Sequence, residues 1–152
     1  TPDVYHVVAG DRLVLITANT EVYRKLKRGG TTGRELLHQP MILREENSGT
    51  RQEMDQYLRR QQIDPQSLNV IAQIDNPEAI RSSVSRGLGV SVMSVLAARE
   101  YLLSERLLSF ELGSQGAFRK IYLAWRKDVL LSPAEQKFRD FVQSRPLLHS
   151  GE

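Results

Sequence analysis

The chain contains no cysteine among its 152 residues, which removes disulfides, thiolate metal sites and cysteine nucleophiles together. No apolar run approaches the roughly 20 residues that a membrane span needs, and no signal-like stretch stands before the first strand pattern. These absences predict a soluble, cytoplasmic protein with no membrane partner. Charge of one sign is missing too: 21 basic residues against 18 acidic leave a net charge of +3, too balanced for a nucleic-acid footprint. The basic excess is local, at Arg24, Lys25, Lys27 and Arg28. With no aromatic platform interleaved, it reads as a solvated loop rather than a phosphate track.

Catalytic signatures are equally scarce. His6, His38 and His149 have no metal-ligand spacing and no nucleophile-elbow context, and no phosphate-binding G-x-x-x-x-G-K-[ST] loop occurs. Gly87-Leu88-Gly89 begins like a dinucleotide fingerprint, but position 92 is Val and the glycines precede a strand, so a helix stop with a tight turn is the expected role. No catalytic residue, metal or cofactor is predicted.

What the chain does have is length enough for a real core and an alternation of short apolar segments with amphipathic stretches, the pattern of βα units feeding a largely parallel sheet. An α/β fold follows. Residues 4–9 and 13–18 read as two strands broken by Gly10-Asp11, and 19–33 as a loop with a helical turn at 21–27. Further strands are expected at 41–44, 68–74, 90–93, 107–112 and 120–126, with Gly113-Ser114-Gln115-Gly116 as a hairpin-like turn between the last two. Trp125, alternating with Ile121 and Leu123, is expected in the core.

The helix over about 50–61 should bury Met54, Tyr57 and Leu58 and stop at Asp64-Pro65. Asn76 should cap a helix that opens with Pro77 and buries Ile80 and Val84. A further helix carries Val95, Leu96, Ala98, Tyr101 and Leu102. Ser132-Pro133-Ala134-Glu135 is a capping box for the last one, docked by Phe138, Phe141 and Val142 and ended by Pro146.

The junction Pro40 to Arg51 is the richest in chemistry. A short apolar strand there runs into Asn47-Ser48-Gly49-Thr50, and the first N–H groups of a helix attract anions. Thr50 with Glu53 also forms a capping box that explains the hydroxyl by helix stability alone, so capping and anion binding stand level. Arg44 and Arg51 flank the site and can pair either with a ligand or with Glu45, Glu46 and Glu53. In an open α/β sheet the turns after 41–44, 68–74 and 90–93 face one crevice, which makes Asn76 a second candidate, although a plain N-cap is its favoured role.

Taken in order, Leu13 to Ile16, Pro40 to Glu45 with Ser48 to Arg51, Asp75 to Ile80, Val84 to Val90 and Arg119 to Arg126 resemble the C-terminal effector-binding region of LysR-type transcriptional regulators, across about residues 8–143. The resemblance implies a type II periplasmic-binding-protein-like fold: residues 1–20 as a remnant of subdomain I with a hinge strand, 21–118 as effector subdomain II, and 119–152 as the return strand and C-terminal helix of subdomain I. It implies a small anionic effector at Ser48 and Thr50, with Asn47, Gly49, Asn76 and Ser94 around it, and a homo-oligomer. DNA would be contacted only through an N-terminal winged helix-turn-helix outside this sequence. The opening Thr1-Pro2, without Met, fits a piece of a longer protein.

Two departures from the family pattern stand out. Asn19-Thr20-Glu21-Val22-Tyr23 replaces a usual His-Pro-Leu, and Ser94 replaces a usual Pro, which either adds a hydroxyl to the cleft floor or changes nothing. The alternatives are a solute-binding lobe of a transport system, which an export signal upstream would favour, and an enzyme on the same fold, which turnover of a bound anion would favour.

Overall fold

The computed structural model describes residues 4–113, 118–126 and 128–144, and of 4–10 and 118–122 the backbone only. The chain divides into two compact units, Arg12–Ala117 and a smaller one made of Thr1–Asp11 with Phe118–Glu152. Among the described residues no helix is long and apolar enough to cross a membrane.

In chain order the elements are β1 (Val4–Ala18), α1 (Glu21–Arg28), a 3-10 turn (Gly33–Leu36), β2 (Met41–Leu43) and α2 (Gly49–Arg60). A second 3-10 turn (Pro65–Ser67), β3 (Val70–Gln73), α3 (Pro77–Ser85), β4 (Ser91–Ser94), α4 (Val95–Leu103) and β5 (Leu107–Glu111) complete the larger unit. β6 (Phe118–Trp125) and α5 (Pro133–Gln143) follow.

β1 is a single strand, not two, and Gly10-Asp11 does not break it. A Gly-Asp pair permits a turn but also tolerates extended backbone, and here strands on either side, β4 and β5, together with β6, hold β1 in the ladder. Leu13 and Leu15 enter one core with Leu43, Met54, Tyr57 and Phe110. Val14 and Ile16 enter a second core with Ile42, Ile80, Val84 and Ala98. Successive strand residues point to opposite faces, so an unbroken apolar run is what a strand covered by helices on both sides requires.

The strands form a four-stranded sheet and a two-stranded one, β2-β3, joined by a bridge, and together they are mixed rather than largely parallel. β2 and β3 run parallel, and Met41 bridges Val90 in parallel. β1, however, lies antiparallel to both β4 and β5. The spacing of βα units predicts parallel neighbours, but it cannot reveal which strand inserts between β4 and β5. Ser91 Oγ donates to the Ile42 carbonyl at 2.5 Å, tying β4 to β2.

Several local expectations hold. α2 buries Met54, Tyr57 and Leu58, each worth about 2 kcal/mol of transfer from water, and Tyr57 donates to the Leu112 carbonyl at 2.6 Å. α3 buries Ile80 and Val84, and α5 opens with the expected capping box. Gly87 follows α3 with φ +82°, a left-handed backbone that favours glycine.

The helical turn expected at 21–27 inside a loop is a full helix over 21–28, so the basic cluster lies on a helix and not on a loop. Thr20 Oγ1 accepts from the Tyr23 N–H, and Glu21 pairs with Arg24 and Arg28 one and two turns on. Tyr23 and Leu26, both half-buried, pack against the core, Tyr23 meeting Phe110 edge to face at 6.2 Å. Lys27 donates to the Ser109 carbonyl beside the Phe110 ring, and burial pushes its pKa down.

In the smaller unit, β6 pairs with β1. α5 does not dock as expected: Phe138 is 60 % and Phe141 55 % exposed, while Val142 is half-buried. Trp125 is half-buried rather than core, and its ring lies 5.8 Å from the Arg139 guanidinium. Leu123, Trp125, Leu131, Ala134 and Phe138 line a groove of about 420 Å³, so α5 meets apolar side chains there while Phe138 and Phe141 stay more than half exposed. The expected turn at 113–116 and the stop at Pro146 lie outside the described residues, as does His149.

Candidate functional site

In the larger unit three helices follow three neighbouring strands: α2 follows β2 across residues 44–48, α3 follows β3 across 74–76, and α4 follows β4 at once. β2 is parallel to β3 and to the residue that leads into β4, so all three exits lie on one edge of the sheet. With strands roughly 4.8 Å apart, those exits fall within about 10 Å along that edge. Each helix has a polar side chain at its N-cap: Ser48, Asn76 and Ser94.

Ser48 is 7 % exposed, and its Oγ accepts from the Arg51 N–H at 2.9 Å. This corrects the expected capping box of Thr50 with Glu53. Thr50 is the second helical residue, too far into α2 for its hydroxyl to cap, and β2 ends early enough for Ser48 to take that place. A serine hydroxyl accepts twice and donates once, so Ser48 keeps its hydrogen for another acceptor. The N–H groups of Gly49 and Thr50 have no partner among the described residues. Gly49 is exposed and faces open space, Thr50 is half-buried, and Asn47 is exposed one residue before the cap.

The flanking arginines are engaged with the protein. Arg44 makes hydrogen bonds of 3.2 and 3.0 Å to Glu45, which hold the Glu45 carboxyl below its ordinary range. Arg51 donates to the Arg44 carbonyl at 3.0 Å and reaches Asp55 at 3.4 Å, pinning the exit of β2 to the first turns of α2. Neither guanidinium has to be stripped from solvent to create positive potential at Ser48; the helix terminus itself supplies it.

Asn76 is exposed, and its Oδ1 accepts from the N–H groups of Glu78 at 2.9 Å and Ala79 at 3.4 Å. Ser94 is 4 % exposed and caps α4 through the Ala97 N–H at 3.3 Å. The hydroxyl at the position where the family pattern has Pro is therefore used as a cap. Ser48, Asn76 and Ser94 thus each cap the helix that follows one of these strands, Ser48 and Ser94 buried and Asn47, Gly49 and Asn76 open.

One group of side chains was not legible in the sequence. Tyr101 donates to Glu78 at 2.5 Å, Arg81 reaches the same carboxylate at 2.7 Å, and the Arg106 guanidinium lies 3.6 Å from the Tyr101 ring centroid. The Tyr101 hydroxyl and then Arg81 hold the Glu78 carboxyl below its ordinary value, while Glu78 pushes the Tyr101 hydroxyl up. Only the spacing of Glu78 and Arg81 on one helix face hinted at it.

The LysR substrate binding domain model matches residues 2–146. A RuBisCO operon transcriptional regulator of Allochromatium vinosum is 34 % identical over 109 residues, covering 72 % of this chain and 35 % of its own length. The uncharacterized HTH-type transcriptional regulator YeiE of Escherichia coli K12 is 30 % identical over 131 residues, 86 % of this chain and 43 % of that protein. The chain therefore spans less than half the length of these relatives. Among solved structures, the Synechocystis CcmR regulatory domain in complex with 2-PG aligns with TM-score 0.70 and 23 % identity, over 93 % of this chain and 65 % of that one. The effector binding domain of QuiR in complex with shikimate aligns with TM-score 0.67 and 21 % identity, over 91 % and 63 %. These likenesses show a type II periplasmic-binding-protein-like fold, and the chain belongs to the LysR substrate-binding domain family.

Proposed function

We propose that this chain is the effector-sensing region of a LysR-type transcriptional regulator and that it binds a small anionic metabolite at the strand exits capped by Ser48, Asn76 and Ser94. The observation that carries this reading is the start of α2, where the N–H groups of Gly49 and Thr50 stand unpartnered among the described residues beside a serine with a hydrogen left to donate. An oxyanion takes two N–H bonds and one O–H bond there, in the field of the helix terminus. Thr50 adds a hydroxyl, and Asn47, Asn76 and Ser94 add amide and hydroxyl groups from the same edge. The relatives are named transcriptional regulators, which supports a sensor rather than an enzyme.

In this reading residues 1–20 and 119–152 contribute to the first subdomain and the crossing strands, and 21–118 form the effector subdomain. An effector that favours one arrangement of the subdomains shifts the population of the regulator by its difference in affinity. The homo-oligomer, the cytoplasmic setting and DNA contact through an N-terminal winged helix-turn-helix belong to the longer protein.

The test is the melting temperature of the chain against a panel of small anions, from sulfate to sugar phosphates and hydroxylated carboxylates. A ligand at about one hundred times its dissociation constant stabilises the fold by roughly 2.7 kcal/mol. The shift should vanish in Ser48→Ala/Thr50→Ala. A shift of the same size in that variant, measured from its own baseline, places the ligand elsewhere.

A further inference from the structure

α3 has nine residues and just two buried anchors, Ile80 and Val84, both beyond its first turn. The first turn carries Pro77, Glu78 and Ala79, of which Glu78 is exposed and the others half-buried. What holds that turn is the Glu78 carboxylate, gripped at Oε1 by the Tyr101 hydroxyl and at Oε2 by Arg81. Tyr101 is 4 % exposed and part of the core on that face of the sheet, so its hydroxyl is a rigid donor. Arg81 in turn donates to the Ala97 carbonyl of α4 at 3.0 Å, and Arg106 covers the Tyr101 ring.

We propose that Tyr101 is a positioning residue: through Glu78 it fixes the first turn of α3 and with it the side chain of Asn76. This rests on the reading of Asn76 as a ligand contact. Glu78 is held twice, its backbone N–H donating to Asn76 Oδ1 and its carboxylate accepting from Tyr101. A ligand that draws the Asn76 side chain toward itself removes the acceptor of the Glu78 and Ala79 N–H groups, and an uncapped first turn frays. The bond to Tyr101 keeps the turn in place while Asn76 changes partners, so the terminus presented to the ligand stays where the core puts it.

Tyr101→Phe tests this, because it keeps the buried ring and its contact with Arg106 and removes only the hydroxyl. The readout is amide hydrogen exchange by NMR on the 152-residue chain, with a sulfate titration followed at the Asn76 side-chain NH2 signals. The expected result is exchange several-fold faster at Glu78 and Ala79, unchanged exchange at Arg51 and Gln52 of α2, and a shallower sulfate response at Asn76. Unchanged exchange at Glu78 and Ala79 overturns the proposal. So does an equal acceleration throughout α3 and α4, which marks Tyr101 as a packing residue alone. Glu78→Gln, which weakens the same bond without touching the core, should accelerate exchange at Ala79 even if Tyr101→Phe folds poorly. If sulfate moves no Asn76 signal in the unsubstituted chain, the ligand reading at α3 fails, and the exchange comparison still decides whether Tyr101 positions the turn.

Discussion

Gly89→Ala tests the join between β2 and β4 at the point where the backbones come closest. A Cβ at position 89 falls 2.8 Å from the Pro40 carbonyl oxygen, with Ile42 Cγ1 and Ile71 Cδ1 both at 3.4 Å. The oxygen cannot step aside freely, because it accepts from the Val90 N–H at 2.8 Å while the Val90 carbonyl accepts from Ile42 at 2.8 Å. Relieving the clash stretches one of these bonds, worth about 1 kcal/mol, and crowding adds about 1 to 3 kcal/mol. The sum is a loss of roughly 2 to 4 kcal/mol. For a chain of this size each kcal/mol lowers the melting temperature by about 2 to 4 °C, so Gly89→Ala should melt roughly 5 to 15 °C lower by circular dichroism. Gly49→Ala is the control: its Cβ meets nothing within 4 Å and its φ is ordinary, so it should stay within about 0.5 kcal/mol of the parent. A Gly89→Ala melt within about 2 °C of the parent would refute the claim that this approach holds the sheet together.

Ser48→Ala should cost about 1 kcal/mol of stability in urea and Thr50→Ala less than about half of that, since only Ser48 caps α2; the reverse order would restore Thr50 as the cap. Tyr57→Phe should destabilise the chain by about 1 to 2 kcal/mol, because the Leu112 carbonyl loses its buried donor, and a neutral result would mean that water replaces it. Glu78 has a folded pKa depressed below its ordinary 4.5, so its contribution is present above that value and lost as pH falls through the folded one. Acid unfolding below about pH 4.5 should therefore be shallower in Glu78→Gln, and superimposable acid limbs would contradict the assignment.

How much of this was legible varies by residue. Asn76-Pro77 and Ser132-Pro133-Ala134-Glu135 were readable because both signals are local: an acceptor, a residue with no N–H to lose, and a helix that begins at once. The N-cap of α2 was misplaced because Ser48 and Thr50 are both hydroxylated, and the choice depends on where β2 stops, which its pairing with β3 decides. The antiparallel placement of β1 was invisible for the same reason on a larger scale: its partners are chosen by residues 91–94 and 107–111. Phe138 and Phe141 have the spacing of a buried stripe, but spacing reports which side chains share a face and not what covers it. The six site candidates were legible as helix starts; the link from Tyr101 to Glu78 was not, since nothing in either segment announces the other.

The position of β1 also governs the order in which the larger unit can be assembled. Ile16 waits for Ser91 and Val14 for Glu111, so the strand that feeds both cores is made first and paired last. Until β4 and β5 have emerged, residues 13–16 lack the strands that pair with them on either side, a state exposed to mispairing and aggregation. Folding should therefore be slow for a chain this short, its rate set by long-range closure rather than by helix formation, and a chain ending before Leu107 should not hold its core.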